Sequence, residues 1–425
     1  MFAGIADDLT GAVELAGVVE TGGVPARVVT RIEAIAHVDT PAIVVALRSR
    51  VAPAAQAVAE FRRVVQALAA RGRPRQIFFK YCATFDSTPQ GNIGPCTDVL
   101  FDTTQATHTL FCPAFPAAAR TVYQGHLFVA DQLVSNSPKK DDPLTPMREP
   151  DLVKVLAPQT ARAVGRIPYA IVAAGPQAIR VRAAALAKDG VPYAIVDTTS
   201  DADLARIAEA TWDLPLMTGG STIVEHYPAH WRANGLIAPH GKRAAIRGDG
   251  FGLVLAGSCA DRTREQIARF GASHPVLEVD LLEDIDDRAA ADAAAAWAIR
   301  HLPHGPVCVA TGADPAGVVK AQAKFGVAGA ARRAETILAI VARKAVDAGV
   351  GRLLVAGGET SGAIVETLGI DILSVAPYVA PGIGTCVAQT PRPLTLCLKS
   401  GKLGDVDMFE RVLTQMELPH GRADE

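Results

Sequence analysis

Aromatic residues, excess charge of one sign and long apolar runs are all scarce in this sequence. Phe, Trp and Tyr make up only 5% of the 425 residues, so we expect a core built mostly from aliphatic side chains. The 42 basic and 44 acidic residues leave a formal net charge of −2, which argues against non-specific binding to nucleic acid. The longest uncharged run, 372–391, contains prolines and glycines and predicts strand and loop rather than a membrane-spanning helix.

Cysteine pairs and a secretion signal are also missing. The seven cysteines are scattered, and no two of them form a Cys-x-x-Cys pair, so we expect no disulfide framework. The first residues lack a basic segment and soon reach two aspartates, which argues against a signal peptide and predicts a cytoplasmic location. Histidine gives little support for a metal site, because Pro228 interrupts the spacing of His226 and His230.

Short apolar runs alternate with amphipathic helical patterns along the whole chain. This alternation predicts an α/β fold of two domains, each with a mostly parallel sheet layered with helices. The clearest predicted helices are 53–71, 286–300 and 331–348. Strands are predicted at 2–6, 27–29, 42–46, 76–81, 107–111, 169–173 and 193–196, and then at 252–256, 276–279, 307–310, 352–356, 372–375 and 394–398.

A glycine-rich and basic segment without periodicity, 232–250, separates the two series of strands. We interpret it as an interdomain connection. The predicted domains are therefore 1–235 and 248–425.

The first segment whose residues suit binding or catalysis is GIADDLTGA, residues 4–12, in which a predicted strand ends at Asp7 and Asp8. Ligands of open α/β sheets bind at the carboxyl ends of strands, where a carboxylate can bind a metal, accept sugar hydroxyls or act as a base. Capping of the following helix would explain one acid but not two. Because neighbouring residues of an extended segment point in opposite directions, we expect different roles, with Asp8 in the catalytic one.

The second segment is KYCATFDSTPQGNIGP, residues 80–95, which follows a predicted strand. Its composition suits a loop that binds a polyhydroxylated anion, with Lys80 supplying charge and Ser87, Thr88 and Asn92 supplying hydrogen bonds. A polar turn capped by Asp86 or Ser87 is the alternative.

Three glycine-rich turns follow strands in the second half of the chain. They are VLAGSCADRT at 254–263, LLVAGGETSGA at 353–363 and LKSGKLG at 398–404. None of them is a Walker A or GxGxxG motif. Backbone N–H groups at such turns favour phosphate, so together the turns predict one nucleotide held across several strand ends.

These segments, together with DQLVSNSPKKDDPLTPMREPDL at 131–152, resemble the four-carbon acid sugar kinase family over nearly the whole chain and in the same order. The stretch KYCATFDST resembles the 3-oxo-tetronate kinase branch, whereas the threonate and erythronate branches differ there. Asp142 departs from the branch, which commonly has a histidine at this position.

The resemblance implies an N-terminal domain that binds the acid sugar and a C-terminal domain that binds ATP, with the active site in the cleft between them. The ATP-binding positions it implies are Ser258, Gly357, Gly358, Glu359, Thr360 and Gly401. The implied reaction is phosphorylation of the C4 hydroxyl of 3-oxo-tetronate.

We assign the substrate carboxylate to Lys80, with Arg48 as a weaker candidate. Asp7 or Asp8 is expected to accept the proton of the attacking hydroxyl, and Asp86 is the alternative. Mg²⁺ is the expected companion of ATP, but the sequence names no metal ligands. A small acid sugar is the expected partner, and association of identical chains is compatible with the sequence.

Three other functions remain to be distinguished. A nicotinamide oxidoreductase fits the α/β pattern, but no intact GxGxxG turn follows any strand. A non-catalytic sugar-acid binding protein explains the N-terminal loops but not the three C-terminal turns. A kinase for threonate or erythronate differs only in the 80–88 motif.

Overall fold

The computed structural model describes residues 1–142, 145–237, 246–312, 315–389 and 392–417. The chain divides into two compact units, Met1–Arg243 and Ala244–Glu425. Residues 238–245 of the expected connection, 143–144 of the segment 131–152, 390–391 of the long uncharged run and 418–425 of the expected second domain lie outside the described residues.

The first unit contains an eight-stranded parallel sheet and a small antiparallel sheet. The eight strands, in spatial order, are β2 (Ala26–Val29), β3 (Ala42–Ala46), β1 (Phe2–Ala6), β4 (Gln76–Lys80), β11 (Leu216–Gly219), β5 (Thr109–Cys112), β10 (Tyr193–Val196) and β9 (Val164–Ile167). The antiparallel sheet consists of β6 (Arg120–Tyr123), β7 (His126–Val129) and β8 (Gln132–Leu133).

Helices connect the parallel strands of this unit. They are α1 (Leu9–Thr21), α2 (Ala54–Arg71), α3 (Ile93–Thr104), α4 (Leu152–Leu156), α5 (Tyr169–Ala173), α6 (Pro176–Lys188), α7 (Asp201–Thr211) and α8 (Tyr227–Ala233). Every residue of β1 and β3 is buried, which explains why both strands are apolar throughout. Helix α1 is buried over nearly its whole length and therefore belongs to the core rather than to the surface.

The second unit has a seven-stranded mixed sheet. Its strands, in spatial order, are β13 (Val276–Glu278), β14 (Val307–Ala310), β12 (Phe251–Ala256), β15 (Val350–Ala356), β18 (Leu394–Lys399), β17 (Ile383–Ala388) and β16 (Ile372–Val375). Among the described strands of this unit, β17 runs antiparallel to both β16 and β18. The helices are α9 (Asp261–Gly271), α10 (Asp287–His301), α11 (Pro315–Phe325), α12 (Val327–Asp347), α13 (Gly358–Leu368) and α14 (Met408–Gln415).

These sheets confirm the predicted fold class of two α/β units with mostly parallel strands. The strand predicted at 169–173 is wrong, because this segment forms α5. The run is too short and apolar for its pattern to separate a strand from a helix. The Asp197 carboxylate accepts a hydrogen bond of 2.9 Å from the Tyr169 N–H and so caps the helix. The helical conformation of this segment therefore depends on a residue that is distant in the sequence.

Strands β9, β11 and β17 and the small antiparallel sheet were not predicted. Within the described parts of the chain, no helix is long and apolar enough to cross a membrane.

Candidate functional site

The carboxyl ends of β1, β3 and β4 bring the predicted acidic and basic residues of the first unit together. Ala6, the last residue of β1, pairs in register with Ala46 on one side and with Lys80 on the other. The Asp7 N–H then donates to the Lys80 carbonyl at 3.0 Å. The segments 4–12 and 80–95 therefore meet at one edge of the sheet.

Arg50 binds both aspartates that follow β1. Its Nε and Nη2 lie 2.9 and 2.8 Å from Asp7 Oδ2 and Oδ1, and its Nη1 lies 2.9 Å from Asp8 Oδ2. The expectation that these neighbours point in opposite directions is wrong. The chain turns directly after β1, so both carboxylates reach the same guanidinium.

Asp8 caps helix α1, a role that the sequence assigned to its neighbour. Its backbone is extended, which places Oδ1 2.7 Å from the Gly11 N–H, while the Thr10 hydroxyl donates to Oδ2 at 2.9 Å. Burial alone would raise the pKa of Asp8, but Arg50, Lys80 and these two donors hold it below its ordinary value.

Asp7 has the opposite electrostatic character. It is only 4% exposed, and burial raises its pKa above the ordinary value although Arg50 acts in the other direction. Its carbonyl accepts the N–H groups of Ser49 and Arg50, which fixes the turn that carries the guanidinium. Of the two acids, Asp7 is therefore the better proton acceptor.

Lys80 is buried beside a third carboxylate. Its Nζ lies 3.9 Å from Glu14 Oε2, which also accepts a hydrogen bond of 2.7 Å from Ser221. Burial would lower the pKa of Lys80, but Glu14 and the two aspartates raise it, so the ammonium stays charged. A Cβ at Gly11 would lie 2.6 Å from Lys80 Nζ, so only glycine lets helix α1 pass this closely.

Asp86, the alternative base, belongs to a separate ion-pair group. Lys139 Nζ lies 2.8 Å from Asp86 Oδ2 and 2.8 Å from Asp142 Oδ2, and the Thr84 hydroxyl donates to Asp86 Oδ1 at 2.5 Å. Asp142, which stands where the resembling branch has histidine, also accepts the Thr145 N–H. Lys139 thus links the loop 80–95 to the segment 131–152.

The predicted hydrogen-bond donors of the second motif have mixed surroundings. Asn92 does not offer its amide to a ligand as expected, because its Nδ2 donates to the carbonyls of Ser49 and Ala52. It therefore supports the turn that carries Arg50. Ser87 is buried and its hydroxyl accepts from Gln159 at 3.0 Å, whereas Thr88 is half-buried.

The sequence missed Arg50, Glu14 and Lys139. Arg48, the predicted arginine, is exposed, whereas Arg50 contacts the acids. The same strand-end rule that singled out Asp7 applies to the end of β3 and could have found Arg50. Glu14 has no comparable signal, since it lies inside a helical pattern.

The three glycine-rich turns of the second unit converge. They follow β12, β15 and β18, which are adjacent and parallel in the sheet. A Cβ at Gly401 would lie 2.0 Å from Ser258 Oγ, and a Cβ at Gly257 would lie 2.2 Å from Thr360 Oγ1. The Gly357 N–H donates to the Lys399 carbonyl at 3.0 Å, which joins the second turn to the third.

Helix α13 begins directly at the second turn. Gly357 has φ +129°, a conformation that side chains disfavour, and α13 starts at Gly358 with Thr360 buried in its first turn. Glu359 is exposed. The helix start therefore offers N–H groups beside the glycine-lined junction, an arrangement that suits phosphate.

A cavity of about 540 Å³ adjoins this junction. Gly257, Cys259, Thr311 and Gly312 contribute to its polar side. Helices α11 and α12 contribute an apolar wall of Val318, Ala321, Val327, Ala330, Ala331 and Ala334. An apolar slot beside a phosphate-binding turn is the shape that a nucleoside requires.

Neither histidine nor cysteine forms a metal site in the described residues, where no group of three potential ligands occurs. His226 contacts Asp201 at 3.3 Å and His230 stacks on Trp212. Burial raises the pKa of the Cys82 thiol and so disfavours the reactive thiolate.

Comparison with known proteins assigns a class to each unit. Residues 2–227 match the family model of a sugar-binding N-terminal domain, and residues 253–409 match that of a nucleotide-binding C-terminal domain. Charged strand ends in the first unit and glycine-rich turns in the second agree with this pairing.

Curated relatives identify the family. A Cupriavidus necator protein named 3-oxo-tetronate kinase is 43% identical, and one of the same name from Burkholderia multivorans is 42% identical, each over 97% of this chain and 96% of the relative. The crystal structure of a Salmonella typhimurium LT2 protein, described as a candidate tRNA synthase, matches with a TM-score of 0.84 and 31% identity over 97% of this chain and 98% of its own. The chain belongs to the four-carbon acid sugar kinase family, in the branch of the 3-oxo-tetronate kinases, as the motifs predicted.

Proposed function

We propose that this protein is an ATP-dependent kinase that phosphorylates the C4 hydroxyl of 3-oxo-tetronate. The observation that carries the proposal is identity of 42–43% to proteins named 3-oxo-tetronate kinase along nearly the whole chain. The charged edge of the first unit and the glycine-lined junction of the second supply chemistry that such a reaction needs.

The acid sugar is bound at the carboxyl edge of the first sheet. Lys80 remains the proposed partner of the substrate carboxylate, since it stays charged and lies at the end of β4. Arg50 replaces Arg48 as the second cation, because Arg50 is the arginine that reaches the acidic pair. Lys139 lies beside the same loop and offers a third positive charge.

Asp7 is the proposed general base. Asp8 is engaged as the cap of α1, and Asp86 is paired with Lys139, whereas burial makes Asp7 the more basic acid of its pair. During transfer the C4 oxygen forms a bond to the γ-phosphorus and the bond to the ADP oxygen breaks. The hydroxyl proton moves to a carboxylate oxygen of Asp7.

ATP is bound by the second unit. Ser258, Gly357, Gly358, Thr360 and Gly401 lie at the junction of the three turns, where backbone N–H groups would contact the phosphates. The 540 Å³ cavity would take the nucleoside. Glu359, the remaining proposed ATP-binding position, is exposed at the start of α13.

Mg²⁺ is the proposed companion of ATP. Magnesium in kinase sites takes much of its coordination from substrate phosphates and water, so it does not require a cluster of protein carboxylates. When bound it would neutralise phosphate charge. Function in the cytoplasm remains part of the proposal and accords with seven free cysteines.

The test is a coupled assay of ADP release with 3-oxo-tetronate, threonate and erythronate, each with MgATP. We expect turnover with 3-oxo-tetronate to exceed turnover with the other two acids, and NMR of the product to place the phosphate on C4. Turnover only with threonate or erythronate would move the protein to a sister activity. Binding of the acid sugar without any ADP release would favour a non-catalytic binding protein.

A further inference from the structure

We propose that Lys399 is a positioning residue for ATP, which fixes the Gly401 turn against Ser258 and makes nucleotide binding depend on pH. The inference rests on the proposed ATP site. Lys399 is the last residue of β18, is 0% exposed, and was not among the predicted site residues.

Three neutral oxygens surround the Lys399 ammonium. Nζ lies 2.6 Å from Gln266 Oε1, 3.0 Å from Thr263 Oγ1 and 3.4 Å from the Gly401 carbonyl. A lysine ammonium has three N–H donors, so each acceptor receives one. In the described part of the chain no carboxylate lies within ion-pair distance of this Nζ, which is unusual for a buried lysine.

The same network holds the whole turn after β18 onto helix α9. Thr263 donates to the Gly401 carbonyl at 2.7 Å, and Gln266 Nε2 donates to the carbonyls of Leu403 and Asp405 at 3.3 and 2.8 Å. Lys399 connects these two side chains, and we call Lys399, Thr263 and Gln266 together the clamp. Since a Cβ at Gly401 would overlap Ser258, any movement of this turn changes the junction where the phosphates are proposed to bind.

The surroundings of Lys399 lower its pKa into the range of ordinary buffers. Burial lowers its pKa to about 8, with the Arg262 charge on α9 acting in the same direction. On its own strand, Cys397 has a pKa raised to about 12 by burial and is neutral in this range. Asp405 in the turn pairs with Arg411 of α14. The other group of α14 that faces Lys399 is the Phe409 ring, whose centroid lies 5.8 Å from Nζ. Its neighbours on β15 and β17, Ala356 and Ile383, do not titrate.

Loss of the proton weakens ATP binding for two reasons. A neutral amine has two donors for three acceptors, so one bond to the clamp is lost. Loss of the proton also removes a positive charge close to the proposed phosphate site. By linkage, ATP must then bind better to the protonated enzyme than to the deprotonated one. ATP affinity should therefore fall as pH rises through about 8.

The experiment measures kcat/KM for ATP between pH 6.5 and 10 in wild type, Lys399→Met and Gln266→Met. The wild type should lose about tenfold or more across the titration, since kcat/KM reports ionisations of the free enzyme. Lys399→Met should start with an ATP KM raised about tenfold and show no such step. Gln266→Met breaks the clamp but keeps the lysine, so it should raise the ATP KM and retain a step.

Lys344→Met is the matched control, because it removes a half-exposed lysine of α12 that pairs with Asp292. It should keep the wild-type ATP profile. The KM for the acid sugar should stay constant in all variants, and amide hydrogen exchange of residues 400–405 should speed up only in the two clamp variants. Unchanged ATP kinetics and unchanged amide hydrogen exchange in Lys399→Met would overturn this inference but leave the proposed function standing. Failure of the wild type to bind ATP by calorimetry would overturn the proposed function together with it.

Discussion

Arg50 holds Asp7 through two hydrogen bonds of 2.8 and 2.9 Å, with both oxygens of the carboxylate engaged by one guanidinium. The Arg50 N–H also donates to the Asp7 carbonyl, so both the backbone and the side chain of Arg50 bind Asp7 directly after β1. A planar fork of this kind fixes the direction of the carboxylate as well as its charge. The acid that is proposed to receive the substrate proton is thus held in place before the substrate arrives.

Replacing Arg50 should damage catalysis more than replacing Arg48. Arg50→Lys keeps the positive charge but loses the fork, which leaves one buried carboxylate oxygen unpaired at a cost of about 1.5–3 kcal/mol. We expect kcat to fall at least about tenfold. Arg48→Lys should have a smaller effect, because Arg48 is exposed. Steady-state kinetics of both variants decide between the two arginines, and the reverse order of effects would restore the sequence-based choice.

Asparagine substitutions should separate the roles of Asp7 and Asp8. Asp7→Asn removes the proposed base and should lower kcat about a hundredfold or more. Asp8→Asn keeps an oxygen that can cap α1 and should retain most of the rate, whereas Asp8→Ala should lose about 1 kcal/mol of stability. Measurements of kcat and Tm for all three variants test this division. Near-wild-type kcat in Asp7→Asn would leave Asp86 as the leading base.

The Asp8 assignment shows what the sequence could not supply. Two adjacent acids after a strand predicted a site, and the structure brings both of them against Arg50. Their division of labour depends on the turn after β1 and on Arg50, which lies 43 positions further along the chain. Periodicity and strand-end rules describe where a segment lies, but not which side chains a fold brings onto it. Asn92 failed for the same reason, because its partners belong to the Arg50 turn.

The glycine-rich turns were predicted better, since their chemistry is local. A glycine after an apolar strand and before a helical pattern implies close approach of backbone, whatever the fold adds later. The convergence of the three turns could therefore be predicted from the motifs, whereas the contacts of Ser258, Thr360 and Gly401 with ATP stay a prediction. The apolar cavity beside them could not, because α11 and α12 line it with small residues that are typical of any alanine-rich helix.

Filling the junction should impair ATP use selectively. The Cβ of Gly401→Ala would lie 2.0 Å from Ser258 Oγ, so either the Ser258 side chain must rotate or the turns must separate. We expect the ATP KM to rise about tenfold or more, with the acid sugar KM unchanged. Gly252→Ala is the control within β12, where the nearest atom would be 3.4 Å away. Equal ATP affinity in both variants by calorimetry would place the phosphates elsewhere.

Lys80→Met should weaken the acid sugar rather than ATP. A lost charged hydrogen bond costs about 1.5–3 kcal/mol, so the KM for the acid sugar should rise ten- to a hundredfold. The variant also removes the Lys80 ammonium from beside the buried Glu14 carboxylate, so a double variant with Glu14→Gln separates binding from folding. Lys188→Met, at an exposed position of α6, is the control. A rise confined to the ATP KM would contradict the assignment of Lys80.

The pH dependence of stability should reveal Lys399 without any ligand. Its pKa is about 8 in the folded protein and about 10.5 when exposed, so between these values the unfolded chain binds more protons than the folded one. Stability of the wild type should therefore rise, relative to Lys399→Met, as pH increases from 8 to 10.5. Below pH 8 both states carry the proton and the difference should stay constant. The full change is on the order of 3 kcal/mol for a single group that is wholly buried. Urea unfolding of both proteins at matched pH values measures it, and the subtraction removes every other titrating group. A constant difference from pH 7 to 10.5 would show that Lys399 keeps its ordinary proton affinity in the folded state.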